Sequence, residues 1–324
     1  MLVTYIQAIN QAMHEEMARD GNVMLLGEDV GVLGGAFKAT DGLQAKFGAE
    51  RVVDTPISES LIVGAGVGLA IQGMRPILEM QFIDFISCGF DQIVNMAATL
   101  RYRHGGQTSC PIVVRGPCGG GVHGGIYHSQ NPEAWFFHVP GLKIVAPATA
   151  YDAKGLLKSA IRDDDPVIYL EHKFLYRRIK EDLPESEVLV PIGKAALRKE
   201  GRDLTVVTYG SPVHAVMKAA KDMTGEIDIE VIDLRTLLPL DWKTIRSSVD
   251  KTGKVLIVHE ARQTGGIGGE IAARIAEELF ESLDGPVMRL CAKDTHNAFA
   301  GPMEEYILPN QEKITEAIRK LAAY

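Results

Sequence analysis

Short apolar runs and segments of helical period take turns along most of this chain, and that alternation restricts the fold more than any other feature. Ile6, Ile9, Met13 and Met17 recur at helical spacing, and "NVMLLGEDV" after them reads as a buried strand ending in acids. "LIVGAGVGLAIQG" is long enough for a helix. "RPILEMQF" reads as a strand, "GFDQIVNMAATLRYR" as an amphipathic helix and "PIVVRGP" as a strand. "GLKIVAPAT", "AYDAKGLLKSAIRD" and "PVIYLE" continue as strand, helix, strand. This order predicts an α/β fold, a parallel sheet with helices on both faces.

The pattern weakens in "RRIKEDLPESEVLVPIG", which is charged and carries two prolines. Beyond it "DLTVVTYG", "IDIEVIDLR", "KVLIVHE" and "VMRLCA" read as strands. "PVHAVMKAAKDM", "GGEIAARIAEELFESL" and "EKITEAIRKLAAY" read as helices. Two parallel-sheet α/β domains are therefore expected, over residues 1–180 and 192–324, with a linker at 181–191. The 324 residues suffice for two domains of ~150 each.

A net charge of −8 with scattered Lys and Arg argues against nucleic-acid or anionic-membrane partners. No apolar run reaches the ~18 residues of a membrane span. The start, "MLVTYIQAINQAMHEEMARD", carries acids and lacks the cationic region of a signal or transit peptide. Cys88, Cys110, Cys118 and Cys291 show neither CxxC nor zinc spacing, so reduced thiols and a cytoplasmic location are expected.

Four stretches invite chemistry. "HEARQTGGIGGEIAARI" sets a glycine loop between strand and helix. It fails the dinucleotide fingerprint, since the third glycine is misplaced and the next strand does not end in an acid. In "RGPCGGGVHGGIYHSQNPEAWFFH" five glycines flank His123 and His128 closes the loop, with Ser129 or Asn131 as a helix cap. A histidine so placed reads equally as a proton donor and as a surface side chain on a mobile loop. Asp163, Asp164 and Asp165 read as a solvated turn or as oxygen ligands for a cation. Glu59, in "DTPISESLIVGAGVGLAIQG", reads first as a helix-start acid worth ~0.3–1 kcal/mol against the helix dipole. That reading leaves Gly64, Gly66, Gly68 and Gly73 unexplained. Close approach of a backbone or of a flat ligand would explain both.

Together "GEDVG", "DTPISES", "EMQFIDF", "DQIVN", "LRYRHGGQ", "HGGIYHSQNPEAWF", "YDAKGLL", "AIRDDDPVIYLE", "IGKA" and "VIDLRTLLPLD" span the chain in order. They resemble the β subunit of thiamine-diphosphate-dependent 2-oxo acid dehydrogenases, the decarboxylating first components of the pyruvate and branched-chain complexes. The resemblance implies a pyrimidine-binding domain followed by a transketolase-type C-terminal domain. It implies that Glu59 hydrogen-bonds the cofactor's aminopyrimidine ring nitrogen, that Phe85 packs on that ring and that Glu28 lies near it. It implies that His128 assists acyl transfer to lipoamide, and that Ile112, Ala160, Ile161, Asp163 and Asp165 form a potassium site. The family holds the diphosphate through Mg²⁺ on a GDG motif, and no GDG occurs here. The implied partners are a separate α subunit in an α₂β₂ assembly, a lipoyl-bearing dihydrolipoyl acyltransferase and a 2-oxo acid substrate. "YHSQNPEAWFFH" and "HEARQTGG" resemble branched-chain more than pyruvate enzymes. Pyruvate or acetoin dehydrogenase β subunits, or a catalytically silent binding subunit of the same fold, are the alternatives. Glu59 and His128 disfavour the silent one.

Overall fold

The computed structural model describes residues 2–324, and its chain divides into two compact units. The first comprises residues up to Cys118 and Trp135–Ile192, and the second Gly119–Ala134 and Gly193–Tyr324.

In the first unit the strands are β1 (Leu2–Thr4), β2 (Val23–Gly27), β3 (Val52–Asp54), β4 (Arg75–Glu79), β5 (Val113–Cys118), β6 (Lys143–Val145), β7 (Val167–His172) and β8 (Lys180–Asp182). Strands β6, β7, β5, β4, β2 and β3 lie side by side in that order, every neighbouring pair parallel. Strands β1 and β8 form a separate antiparallel pair. The helices begin with α1 (Tyr5–Arg19), where Thr4 and Gln7 form a reciprocal capping box. Its Ile6, Ile9, Met13 and Met17 are buried in one core with Leu25, Ile77, Val113 and Tyr169 of the sheet. Then come α2 (Leu43–Phe47), α3 (Glu59–Ile71), α4 (Leu100–Arg103) and α6 (Ala150–Arg162), while the short α5 (Glu133–Phe137) begins in the second unit and ends in the first.

The amphipathic helix expected over residues 89–103 is broken. A 3₁₀ turn (Ile83–Gly89) leads to a π turn (Gln92–Ala97) and only then to α4. Two local causes are visible. Thr99 Oγ1 donates to the Asn95 carbonyl (2.7 Å) and Asn95 Nδ2 to Asp91 Oδ1 (2.7 Å), side-chain bonds that compete with the helical ladder. The Ala98 N–H reaches back five residues to Ile93 (2.9 Å), the spacing of a π bulge.

The second unit holds β9 (Ala196–Lys199), β10 (Leu204–Thr208), β11 (Ile229–Asp233), β12 (Thr236–Leu238), β13 (Val255–Arg262) and β14 (Met288–Ala292). One sheet runs β14-β13-β10-β11-β9, parallel except at its β9 edge. Helices α7 (Pro212–Asp222), α8 (Trp242–Thr252), α9 (Ile267–Glu278), α10 (Gly301–Ile307) and α11 (Gln311–Ala322) accompany it. Helix α8, absent from the sequence reading, carries its own start signal: Asp241 accepts the Thr244 N–H. Among the described residues, no helix is long and apolar enough to cross a membrane.

Candidate functional site

Strand β2 sits between β3 and β4, so the chain leaves β2 for one side and returns on the other. Open α/β sheets bind ligands outside the carboxyl ends of their strands at such a reversal. The register pairs Gly27 with both Asp54 and Glu79, so Glu28, the approach to Glu59 and the turn holding Phe85 leave the same edge. A Cβ at Gly27 would lie 2.8 Å from Val30 Cγ1 and 2.9 Å from Glu79 Cβ, so a larger residue would push these strand ends apart.

Glu28 follows β2 directly. It is buried, and its Oε1 makes no hydrogen bond. Burial, then the charges of Glu59, Asp29 and Glu79, pushes its carboxyl above the usual carboxylate range. The neighbouring Asp29 adopts a left-handed backbone (φ 57°), a strained state for a residue with a side chain. Gln81 Nε2 donates to Asp29 Oδ2 (3.2 Å). Glu59 opens α3 and is half-buried. Ser58 before it makes no side-chain cap, so the first-turn carboxylate is the group that faces the helix dipole. Phe85, also half-buried, lies in the 3₁₀ turn after β4. Nearby, Phe82 and Phe37 meet edge to face at 5.4 Å.

Beneath this edge runs a buried ionic cluster that the sequence reading missed. Arg115 on β5 donates to Glu79 and to Glu171, and Tyr176 Oη donates to Glu171 Oε2 (2.7 Å). Glu79 lies in "RPILEMQF" and Arg115 in "PIVVRGP", both read as strands. An acid closing one apolar strand and an arginine within another were the available signal. From this edge leave Glu28, whose Oε1 has no hydrogen-bond partner among the described residues and which feels the charge of Glu59, and the turn that holds Phe85.

Asp163, Asp164 and Asp165 sit before β7, at the opposite, amino edge of the sheet. Asp163 receives Lys143 Nζ on both oxygens (2.7 Å each), Asp164 receives Arg75 (2.6 Å) and Asp165 receives Arg101 (2.5 Å). The Ile112, Ala160 and Ile161 carbonyls each accept one protein hydrogen bond, from Val167 N, Asp163 N and Arg75 Nη1. Each carbonyl keeps a second lone pair. No cluster of three His, Cys, Asp or Glu suited to a metal exists among the described residues.

In the second unit, the loop of residues 119–134 carries His128, half-buried at the end of a 3₁₀ turn (Gly125–Tyr127). Glu260 Oε1 accepts the Gly120 N–H (2.6 Å) and Asn131 Nδ2 (3.0 Å). Glu304 Oε1 accepts the Gly121 N–H (2.9 Å). Asn297 Nδ2 donates to the Ser129 carbonyl, and Tyr209 Oη to Glu133 Oε1 (2.6 Å). Asn131 thus spends its amide on Glu260. No sequence motif announced these contacts, because their partners lie more than 70 residues away.

The family described as "Transketolase, pyrimidine binding domain" matches residues 2–178, and "Transketolase, C-terminal domain" matches 193–314. The chain is 52% identical to the 2-oxoisovalerate dehydrogenase subunit beta of Bacillus subtilis (strain 168), over 100% of this chain and 99% of that relative. It is 46% identical to the pyruvate dehydrogenase E1 component subunit beta of Staphylococcus aureus (strain COL), over 98% of each. The corresponding pyruvate subunit of Bacillus subtilis is 45% identical over 99% of each. A solved split-gene transketolase, described as an inactive beta4 tetramer, superposes with a TM-score of 0.80 at 23% identity, covering 99% of this chain and 98% of that one, a likeness of fold.

Proposed function

Because the chain belongs to the family of 2-oxo acid dehydrogenase β subunits, we propose that it works with an α subunit to decarboxylate a branched-chain 2-oxo acid, using thiamine diphosphate. The observation that carries the site assignment is the buried carboxyl of Glu28 at the sheet's reversal point, with Oε1 unpartnered among the described residues and its proton affinity raised by burial and then by the charge of Glu59. A buried acceptor oxygen left unsatisfied suits a ring bearing N–H or amino donors, and an aminopyrimidine is such a ring.

When bound, thiamine diphosphate supplies the electron sink for loss of carbon dioxide. Glu59 holds a proton at the pyrimidine ring nitrogen. Glu28 satisfies a second polar atom and keeps water from that edge. Phe85 offers a flat apolar surface to the ring. His128 delivers a proton to the departing lipoyl thiolate. The chain carries no GDG motif. We assign Mg²⁺ and the diphosphate to the α subunit, in an α₂β₂ assembly that passes its acyl group to a lipoyl-bearing acyltransferase. A potassium ion on the carbonyls of Ile112, Ala160, Ile161 and Asp163, beside Asp165, lies at the amino edge and would act on stability, not on chemistry.

The test is a panel of branched-chain 2-oxo acids and pyruvate, with the chain alone and with its α subunit, Mg²⁺ and cofactor. Decarboxylation is expected only in the mixture, and fastest on a branched-chain acid. Equal rates without α would overturn the division of labour, and pyruvate preference would shift the substrate class. Glu59→Gln is expected to cost at least the roughly 10²-fold of a positioned acid–base group, and to slow C2 proton exchange of bound cofactor likewise. Exchange at the wild-type rate would reduce Glu59 to a helix-start acid.

A further inference from the structure

A loop with glycine at 119, 120, 121, 124 and 125 cannot hold a shape through its own side chains. Three of these glycines have positive φ, and His123 joins them at 59°, a strained value for a histidine. Something outside the loop must impose that path.

Glu304, on α10, does so. Its Oε1 accepts the Gly121 N–H (2.9 Å), and its Oε2 accepts both the His123 N–H (3.3 Å) and ring Nδ1 (2.8 Å). The carboxylate is 2% exposed, so these bonds form away from competing water. A carboxylate offers only acceptors to three converging donors, whereas an amide would turn its NH₂ against at least one of them. Packing reinforces the template. A Cβ at Gly120 would lie 2.7 Å from Leu308 Cδ1 and 3.0 Å from Glu304 Oε1, and one at Gly125 would strike the Phe299 ring at 2.2 Å. Glu260, 8% exposed, grips the loop on both sides of His128, at Gly120 and Asn131. Asn297 fixes the carbonyl of Ser129, the residue after His128.

We propose that Glu304, with Glu260 as second anchor, is a positioning residue that holds the glycine-rich loop so that His128 is presented for acyl transfer. The proposal rests on the reading that His128 serves that half-reaction. It assigns to α10 and to the end of β13 a part in the chemistry that neither element touches.

The experiment is a double-mutant cycle in the assembled α–β protein, with Glu304→Gln, His128→Ala and the double variant. Reductive acylation of a lipoyl acceptor and decarboxylation with an artificial electron acceptor are both measured. Misplacing a reacting group by about an ångström costs up to roughly 10²-fold. Glu304→Gln is expected to lower the kcat of acylation by ~10- to 100-fold, with KM little changed and decarboxylation less affected. The double variant is expected to be no slower in acylation than His128→Ala alone, because a template has nothing left to position once the imidazole is gone. Losses that multiply in the double variant would overturn the proposal. Should Glu304→Gln fail to assemble, Glu260→Gln enters the same cycle under the same criterion. If His128→Ala slows both half-reactions equally, the acyl-transfer role falls, yet non-multiplying losses still support the positioning role.

Discussion

Glu28 carries an oxygen that no described residue satisfies, and a buried acceptor left so costs roughly 1–3 kcal/mol. Asp29 beside it adds a strained backbone. Both sit at the reversal point of the sheet, where a ligand can offset them. The pH dependence follows from Glu28's raised proton affinity. The folded chain holds a proton there that the unfolded chain releases near pH ~4.3. Stability from this group is therefore full below that value and is lost as pH rises through the folded-state value. Glu28→Gln, uncharged at all pH, should melt higher than the parent in neutral buffer without cofactor, and the two should converge in acid. Thermal melts across pH would show it, and equal melting at neutral pH would mean that the carboxylate is not under stress. "GEDVG" made Glu28 visible in the sequence, but which acid lacks a partner depended on where Glu59, Asp29 and Glu79 lie.

Helix α3 answers the question its glycines raised. A Cβ on Gly66 would come within 2.5 Å of Leu78 Cδ1, so this glycine lets the helix settle on β4. A Cβ on Gly89 would lie 2.9 Å from Val63 Cγ2 and 3.3 Å from the Glu59 carbonyl, which brings the turn after Phe85 against the helix start. Gly68 meets nothing within 4 Å. The two helix positions should then respond oppositely in denaturant titrations of the isolated chain. Gly66→Ala overpacks a buried contact and should lose ~1–3 kcal/mol, while Gly68→Ala should gain ~0.4–1 kcal/mol through lower unfolded-state entropy and better helix propensity. A gain at Gly66 would mean that Leu78 yields freely. Periodicity announced this helix, but not which glycine serves packing, and it overstated the continuity of residues 89–103, where Thr99 and Asn95 spend hydrogen bonds locally.

Across the whole molecule, the potassium proposal is a statement about stability. Its carbonyls lie at the amino edge, among carboxylates already held by Lys143, Arg75 and Arg101. A ligand bound only by the folded state raises the melting point. Replacing potassium by a bulky organic cation at constant ionic strength should therefore lower the melting temperature of the assembled protein, while leaving its proton chemistry intact. An unchanged melting point would show that the three basic side chains close this turn unaided.

The alternation of apolar runs with helical periods fixed the α/β class, because only crossover helices return a strand parallel to its neighbour. Local residue types singled out Glu59 and His128, each in a short distinctive stretch, while Glu28 and Phe85 came only through the resemblance of the quoted motifs to a known family. What tertiary structure decided were relations between distant residues. Glu28 Oε1 is left without a hydrogen-bond partner among the described residues. Arg115 is shared between Glu79 and Glu171. The loop bearing His128 is moulded by Glu260, Asn297 and Glu304, more than a hundred residues further along the chain. Local sequence encodes periodicity and caps through neighbours within a few residues. Desolvation and hydrogen-bond satisfaction depend on which side chains folding brings within about 3 Å, and that is a property of the packed chain.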